Sequence, residues 1–385
     1  MKSTKESLEI RTVSARRDWK RFVRFQNNLY RGSKCFVPAL ELDELKLFSP
    51  KNPSWDEVEL CAFLAFRGKK IVGRIAVIVQ KTYNRLHNCK NARFTRFDLI
   101  DDGAVAKALI DAACGWARER GCDVIHGPLG FNDLDKEGLL IHGFDRLGTF
   151  ANFYNYEYYA AHLENAGFEK EVDWLEFLLA MPRELDARLV KIAEHQAQKL
   201  ELEIVPMSMP KSRVIQQYGK EIFDVVNESY AGLHGVIPIT EAVRNDILKQ
   251  FKTIIRREHV CLVLGKTGKI VGFGLSAPNI SRALNKSHGR LLNFGFFPLN
   301  ALRIKHEASR KTKFVDLCLI AVVPEYRGKG VNAVIMYEMF KNLARAKTEW
   351  LETNLQMETN ISVQTQFIGF EKELIKKRRC YKKAL

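Results

Sequence analysis

KFVDLCLIAVVPEYRGKGVNAVIMYEMFKNLARAK, residues 313–347, predicts a strand, a tight turn and a helix in direct succession. The apolar run ends at Pro324, and a helix with apolar residues three and four positions apart begins at Val331. Between them lies a basic, glycine-containing turn formed by Arg327, Gly328, Lys329 and Gly330. Backbone amides of such a turn converge with the positive end of the helix, an arrangement that suits a diphosphate.

The turn differs from the common nucleotide-binding motifs. Its spacing is neither that of a GxxxxGK[ST] P-loop nor that of a GxGxxG dinucleotide site. The glycines let the backbone come close to phosphate oxygens, while the arginine and the lysine add positive charge. A basic turn without function is the alternative, and the strand and helix on either side of the turn weigh against it.

The same coarse order of elements occurs twice along the chain. Each half has a β-hairpin, turning at Gly68 or Gly268, followed by a strand, a helix, a strand, a helix and a last strand. A proline-containing stretch at 181–211 separates the halves. The pattern predicts a duplicated α+β fold with mixed sheets, as domains 1–200 and 201–385.

Composition fits a globular protein with a substantial core, since 46% of the 385 residues are hydrophobic and 28% are charged. No apolar run approaches the roughly 18 residues of a membrane span, and the first residues lack the apolar stretch of a secretory signal. We therefore expect a cytoplasmic protein. The eight cysteines form no CxxC pair, so we expect no metal site.

The formal charge of +16 is concentrated in three segments. Residues 2–34 carry +7, residues 282–313 carry +7 and residues 371–385 carry +5, so the remainder of the chain is slightly acidic. Such patches indicate an anionic partner: nucleic acid, an anionic lipid surface, an acidic carrier protein or a phosphorylated cofactor. Solvated surfaces are the alternative. Because no helix-turn-helix or RNA-binding signature occurs, we do not expect nucleic acid.

Residues 313–370 resemble the acyl-CoA-binding core of the GNAT (Gcn5-related) N-acyltransferase superfamily, whose signature is [QR]-x-x-G-x-[GA]. Arg327, Gly330 and Val331 fit it, whereas Asn332 stands where Gly or Ala is usual. Both halves resemble the GNAT element order and close with NAGFE or IGFEK. Since DDGAVAKA replaces the basic turn in the first half, the resemblance implies a degenerate N-terminal GNAT domain before a cofactor-binding one.

The whole chain is also similar to a bacterial family of tandem GNAT-like proteins. The phrases that carry this similarity are RFVRFQNNLYRGSKCFVPAL at 21–40, GLLIHGFD at 138–145, YNYEYYAAHLENAGFEK at 154–170 and NKSHGRLLNFGFFPLNAL at 285–302. That family includes GNAT-type bacterial ceramide synthases, which attach a long acyl chain to a sphingoid-base amine. The resemblance implies an N-acyltransferase that moves an acyl group from acetyl-CoA, a longer acyl-CoA or acyl carrier protein to an amine, such as a lipid amine.

The resemblance also implies where the acyl donor lies. In the GNAT fold the fourth strand separates from the fifth, and the slot receives the pantetheine arm, with backbone amides beside the thioester carbonyl. The implied cofactor-binding residues are Leu319, Ile320, Ala321, Val322, Arg327, Gly328, Lys329, Gly330, Val331, Asn332 and Asn360. For Asn360 the alternative is a structural role as the N-cap of the following helix.

The candidate general bases are Glu352 and Glu358, at positions similar to acidic ones in the narrower family. On a continuous strand they would share a face, because side chains alternate with a period of two. The solvated face of a strand is the alternative. Thr365 occupies the place of the usual tyrosine acid, so solvent, Tyr337 or Tyr381 is left to protonate the thiolate.

Two segments are candidates for the acceptor site. An insertion after the second hairpin carries Phe294, Phe296 and Phe297 between basic flanks. This pattern is typical of a peripheral contact with an anionic membrane, here the inner face, or of a lid over a fatty chain, with a core-closing loop as the alternative. His234 lies where the fold has its acceptor loop, although a structural role is the alternative.

Two other functions remain open from the sequence. One is a non-catalytic GNAT-fold protein that binds an anionic partner through its charge. The other is an aminoacyl-tRNA-dependent transferase, because tandem GNAT-like domains and basic surfaces occur there too. The sequence leaves open the acyl chain length, the acceptor and the oligomeric state.

Overall fold

The computed structural model describes residues 6–292, 298–309, 313–367 and 369–385. Fourteen strands and twelve α-helices occur in the described part of the chain. The strands are β1 (Leu8–Thr12), β2 (Val58–Arg67), β3 (Lys70–Gln80), β4 (Asn91–Leu99), β5 (Val124–Gly127), β6 (Leu139–His142), β7 (Glu169–Ala180), β8 (Glu203–Ile204), β9 (Val260–Leu264), β10 (Ile270–Pro278), β11 (Phe314–Val322), β12 (Trp350–Thr353), β13 (Gln356–Met357) and β14 (Lys372–Ala384). The helices are α1 (Arg16–Leu29), α2 (Glu41–Leu47), α3 (Lys81–His87), α4 (Gly103–Arg118), α5 (Tyr158–Asn165), α6 (Ala187–Lys199), α7 (Lys211–Tyr230), α8 (Glu241–Ile254), α9 (Ser281–Ser287), α10 (Leu299–Ser309), α11 (Val331–Arg345) and α12 (Ile361–Gln364).

The chain divides into two compact units, each built from separate segments. Unit 1 contains Met1–Trp174, Ser281–Ala301 and Lys376–Leu385, and unit 2 contains Leu175–Ile280 and Leu302–Ile375. We predicted one boundary near residue 200, and the compact units divide the chain differently. The physical reason is that β7 and β14 each contribute residues to both units, while the insertion at 281–301 packs with the first half of the chain.

Unit 1 has a mixed sheet in the order β1-β2-β3-β4-β5-β14, with β6 also beside β14. The β2–β3 hairpin turns at Gly68, whose φ of 57° favours glycine. Helix α4 is capped at its N-terminus by Asp102, whose side chain accepts hydrogen bonds from the amides of Ala104 and Val105. Helix α4 packs its buried apolar face against β2 and β3, so the largest hydrophobic cluster of unit 1 lies there.

The basic C-terminal segment is largely used inside unit 1. Lys376 and Arg378 are each 1% exposed in β14. Buried Asp173 on β7 accepts hydrogen bonds from Arg379 at 2.8 and 3.1 Å and lies 2.8 Å from the Nζ of Lys377. Much of the charge at 371–385 therefore stabilises the pairing of strands rather than forming a solvated patch.

Unit 2 has a mixed sheet in the order β7-β12-β11-β10-β9-β8. Two positions of β10 on the face that α11 covers are occupied by glycine. At the first, a Cβ on Gly272 would lie 2.9 Å from Cδ1 of Ile335. A Cβ on Gly274 would overlap the Sδ of Met339. The two glycines thus let α11 pack close to the sheet, which fixes the position of the turn that precedes it.

The predicted fold class is confirmed: both units combine mixed sheets with helices. One element is shorter than expected, since the last helix of the second half is a single turn, Ile361–Gln364. None of the described helices combines the length and the apolar character needed to span a bilayer.

A buried ion network holds α2 in unit 1. The guanidinium of Arg96, whose side chain is 1% exposed, donates to Glu44 at 3.0 Å and to Asp135 at 2.9 Å. Burial opposes ionisation of Glu44, but the charge and hydrogen bonds of Arg96 outweigh it and lower the pKa of that carboxyl from 4.5 to about 2. The network therefore depends on pH.

We expect Glu44→Gln to lower the free energy of unfolding by about 1.5 to 3 kcal/mol above pH 5, because it removes one of the two carboxylates that pair with the buried guanidinium of Arg96. In the unmodified protein this contribution is present above pH 4.5 and declines as the pH falls toward 2. Denaturant unfolding between pH 7 and 2 measures both effects. Asp111→Asn, which breaks an exposed pair with Lys107, is the control and should cost less than about 1 kcal/mol. Equal losses for the two variants would contradict the assignment.

Candidate functional site

A slot opens in the sheet of unit 2 where β12 separates from β11. The two strands are parallel and pair only over Phe314–Leu317 and Trp350–Thr353, while β11 continues to Val322. Asn354 marks the separation: its amide donates to the carbonyl of Leu317 at 3.0 Å and its Nδ2 to that of Cys318 at 3.4 Å. Beyond this point the edge of β11 is no longer covered by β12.

A β-bulge in β11 decides which backbone groups face the slot. Leu317 lies opposite Ser276 and Leu319 opposite Leu275, so Cys318 is an extra residue. After the bulge, the amide of Val323 donates to Val271 on β10 at 3.0 Å. By alternation, the amides and carbonyls of Ile320 and Val322 face the opposite edge, toward the slot, and those of Leu319 and Ala321 face β10.

The end of α7 fixes this open edge. The hydroxyl of Tyr230 donates to the carbonyl of Ile320 at 2.9 Å, and that of Ser229 donates to the carbonyl of Val322 at 3.2 Å. The guanidinium of Arg327 donates to the carbonyl of Ser229 at 2.8 Å. The backbone groups facing the slot are thus held in place by α7, and α7 is held in turn by the basic turn.

The basic turn has the geometry of an anion site. Gly328 and Gly330 both have left-handed φ values, of 71° and 80°, and Gly330 is the N-cap of α11. The amides of Val331 and Asn332 therefore belong to the first turn of the helix, where backbone N–H groups have no intrahelical acceptor. Lys329 is exposed, with its Nζ 5.3 Å from the ring centre of Tyr326. These residues fit a diphosphate group.

The two glycines of the turn have different surroundings. Among the described residues, nothing lies within 4 Å of a Cβ built on Gly328, so the backbone there is open to a ligand. A Cβ on Gly330 would lie 2.8 Å from Cγ of Gln196 on α6. Gly330 is therefore needed for close packing of the turn against α6 as well as for its φ.

The two candidate bases do not lie on one strand. Glu352 is on β12, 4% exposed, in register with Asp316 of β11 and Leu178 of β7. Glu358 is half-buried in a turn after β13. The shared face that we predicted is therefore wrong, because the chain leaves the strand at Asn354 and the period of two is lost.

Glu352 lies on the face of the sheet opposite α11. Val315, Leu351 and Leu179 form a hydrophobic cluster with residues of α11, so their neighbours along the strands point the other way. On that opposite face Asp316 accepts a hydrogen bond from Asn279 at 2.7 Å. Two carboxylates, Asp316 and Glu352, are thus neighbours just before the strands separate.

The remaining predicted residues have other settings. Asn360 caps α12, since its side chain accepts from the amide of Val363 at 3.4 Å. His234 is half-buried in the turn after α7. Tyr381 is a buried residue of unit 1 that donates to Glu164 at 3.0 Å, and Tyr337 lies on α11. Outside the described residues lie Phe294, Phe296 and Phe297.

Two side chains at the slot were not among the predicted residues. Tyr230 and Ser229 fix the carbonyls of Ile320 and Val322, and both lie a few residues before His234, which was the residue of this segment that we predicted. The sequence signal that could have identified them is the pair of adjacent hydroxyl side chains at the end of a helix. Cys318 lies at the bulge, and burial, with Asp316 nearby, raises the pKa of its thiol, which opposes a role as a nucleophile.

The comparisons with solved structures agree with this fold. A tandem GNAT protein from the clavulanic acid biosynthesis pathway superposes with a TM-score of 0.53 at 13% identity, over 98% of both chains. The chain has a tandem GNAT fold. A GCN5-related N-acetyltransferase from Sphaerobacter thermophilus gives a TM-score of 0.50 at 10% identity, over 98% of this chain and 95% of that one.

Two curated proteins are similar to this tandem GNAT chain in sequence. Protein YghO of Escherichia coli is 26% identical over 381 residues, which cover 98% of this chain and 95% of that protein. A bacterial ceramide synthase of Caulobacter vibrioides is 28% identical over 302 residues, 77% of each chain. No family model matches the chain. The resemblance to the GNAT superfamily is thus confirmed for the fold.

We expect Asn332→Asp to weaken coenzyme A binding at least tenfold, about 1.4 kcal/mol, because it places a negative charge beside the diphosphate site. The same charge favours the N-terminus of α11 by about 0.3 to 1 kcal/mol, so the melting temperature should not fall. Isothermal titration calorimetry and thermal denaturation measure the two effects. Asn332→Ala is the control and should keep most of the affinity; unchanged affinity in Asn332→Asp would contradict an anion site at this turn.

Proposed function

We propose that unit 2 is an N-acyltransferase that moves an acyl group from acyl-CoA, or from acyl carrier protein, to an amine. One observation carries the proposal: the open edge of β11 runs directly into a glycine-containing basic turn at the N-terminus of α11. A thioester donor has the matching parts, since its diphosphate and its pantetheine arm are joined in one linear molecule. The tandem GNAT fold, whose superfamily uses such donors, supports the proposal.

The donor would be held by backbone groups more than by side chains. Amides at the start of α11 and the charge of Lys329 would bind the diphosphate. Arg327 has a different task in this proposal, because its guanidinium donates to the carbonyl of Ser229. It would orient α7 beside the slot rather than pair directly with phosphate.

The amides that face the slot would stabilise the developing oxyanion. Attack by an amine on a thioester places negative charge on the carbonyl oxygen, and the N–H groups of Ile320 and Val322 are directed to that side of β11. Donors that are already oriented cost no reorganisation during the reaction. Leu319 and Ala321, which alternate with them, would contribute side-chain contacts instead.

Glu352 would act as the general base that takes the ammonium proton. It is buried at the point where β11 and β12 separate, whereas Glu358 lies in a turn beyond the strand. A neutral amine is needed for attack, so a base within reach of the slot is required. The thiolate would be protonated by solvent, because Thr365 replaces the usual tyrosine.

The acceptor would be a long-chain lipid amine. This part of the proposal is supported by similarity to a protein described as a bacterial ceramide synthase, at 28% identity. His234, in the turn after α7, would lie along the path of the acceptor toward the slot.

The reaction is tested with the full chain, acyl-CoA donors from two to eighteen carbons and two amine classes, sphinganine and short polar amines. Thiol release and mass spectrometry of the amide product are followed together. Acylated carrier protein and charged tRNA replace acyl-CoA in parallel reactions. Turnover only with charged tRNA, or binding of donors without any amide product, would overturn the proposal in favour of the two alternatives left open by the sequence.

We expect Glu352→Gln to lower kcat by about 100-fold or more with little change in KM, because proton transfer contributes that much in the transition state. The loss should shrink as the pH rises and the amine deprotonates on its own. Steady-state kinetics from pH 6 to 10 provide the measurement, with thermal denaturation to check folding. Glu358→Gln is the matched control; if it loses activity while Glu352→Gln keeps it, the assignment of the base is wrong.

A further inference from the structure

Unit 1 contains a large cavity that is separate from the residues of the proposed acyl-transfer site. Its volume is about 1540 Å³, and every residue that lines it belongs to unit 1. One wall consists of α1, α2 and the segment that follows α2, up to Trp55. The other wall is the segment from Lys286 to Leu292, together with Asn300.

Hydrogen bonds fasten the second wall to the first. The Nδ2 of Asn285 donates to the carbonyls of Ser33 and Phe36, at 3.2 and 2.7 Å. The amide of Glu41 donates to the carbonyl of Gly289 at 2.8 Å. These hydrogen bonds tie the two walls together.

The cavity gathers two of the three basic segments seen in the sequence. Its lining has eight Lys or Arg side chains, among them Lys20, Arg24, Lys51 and Arg290, and a single carboxylate, Glu41. Segments 2–34 and 282–313, far apart along the chain, thus each contribute some of their cations to one space: Arg16, Lys20, Arg24 and Arg31 from the first, and Lys286 and Arg290 from the second. Such an excess strongly favours an anionic occupant.

Glu41, the one carboxylate among the lining residues, orients two arginine side chains rather than neutralising the positive charge of the cavity. Glu41 accepts from the Nε of Arg24 at 3.0 Å and from the Nε of Arg290 at 3.2 Å, so it bridges the two walls. Each guanidinium has five N–H donors, and the remaining ones can bind phosphate oxygens. Both arginines are exposed, so these donors are accessible.

The lining also offers a rigid apolar surface. Trp19 is half-buried, and its ring stacks on that of Phe48, which is 3% exposed, with centroids 5.2 Å apart. Leu42, also in the lining, is 67% exposed. An apolar surface surrounded by cations matches a molecule with a hydrocarbon chain and a negative head group.

We propose that this cavity binds an anionic membrane phospholipid, with the phosphate at the basic residues and the start of the acyl chain on Trp19 and Leu42. The protonated lipid amine of the proposed reaction does not fit here, since the cations that line the cavity repel it. The site is therefore additional to acyl transfer and would hold unit 1 at an anionic lipid surface.

The test uses lysophosphatidylglycerol and lysophosphatidylcholine of equal chain length, below their micelle concentrations, with the full chain and titration calorimetry. We expect saturable binding of the anionic lipid and at least tenfold weaker binding of the zwitterionic one. Two further methylenes should raise the affinity about tenfold while the chain stays in contact with protein. Glycerophosphoglycerol, which has no chain, should bind far more weakly.

Charge-reversal variants separate the cavity from general surface charge. Lys20→Glu with Lys51→Glu should weaken binding of the anionic lipid at least tenfold. Lys69→Glu with Lys70→Glu changes the net charge equally, at an exposed turn of unit 1 outside the cavity, and should leave binding unchanged. Leu42→Ser should weaken binding several-fold, whereas Leu86→Ser, at a leucine that is 55% exposed elsewhere in unit 1, should not.

Four outcomes would overturn the proposal. They are equal affinity for both lysolipids, equal losses in the cavity and control variants, chain-free head group binding as tightly as the lipid, and binding to phosphatidylglycerol vesicles without any binding of the monomeric lipid. Since binding is measured without acyl donor or amine, these outcomes are independent of whether acyl transfer occurs.

Discussion

A strand inside a sheet must pair its backbone groups on both edges, and β11 does so only up to Leu317. Beyond that residue β12 has turned away at Asn354, and the bulge at Cys318 has exchanged which amides point to which side. Helix α7 supplies partners for the carbonyls of Ile320 and Val322 but leaves a row of amides directed to the slot. The slot and the amides that face it both depend on this interrupted pairing.

Much of this arrangement could be predicted from the sequence, because it depends on residues that are close together along the chain. The strand, turn and helix of 313–347 are encoded by apolar periodicity and by two glycines, and the hairpin turns by Gly68 and Gly268. The bulge in β11 could not be predicted, because it depends on the register of β11 with β10. For the same reason, the spacing of Glu352 and Glu358 suggested a common face that the structure does not have. The role of Arg327 required the position of a distant carbonyl, that of Ser229.

The distribution of charge is a second feature that the sequence alone predicts only in part. Three basic segments look alike in a count of residues, yet the environment of their side chains differs. The C-terminal segment becomes a strand whose Lys376 and Arg378 are buried and whose Arg379 binds Asp173. The other two segments supply exposed cations to one cavity in unit 1. Counting charges predicts that an anion will be attracted, but only the fold determines where the attraction is strong.

The exchange of strands between units has a consequence for how the polypeptide is made. Residues 376–385 complete unit 1, and they are synthesised after every segment of unit 2. During translation β14, the partner of β5 and β6, is therefore missing until the second half of the chain has been made. Until then the sheet of unit 1 is incomplete. Neither half is a self-sufficient gene fragment, so a cut near the midpoint would yield two incomplete sheets rather than two domains.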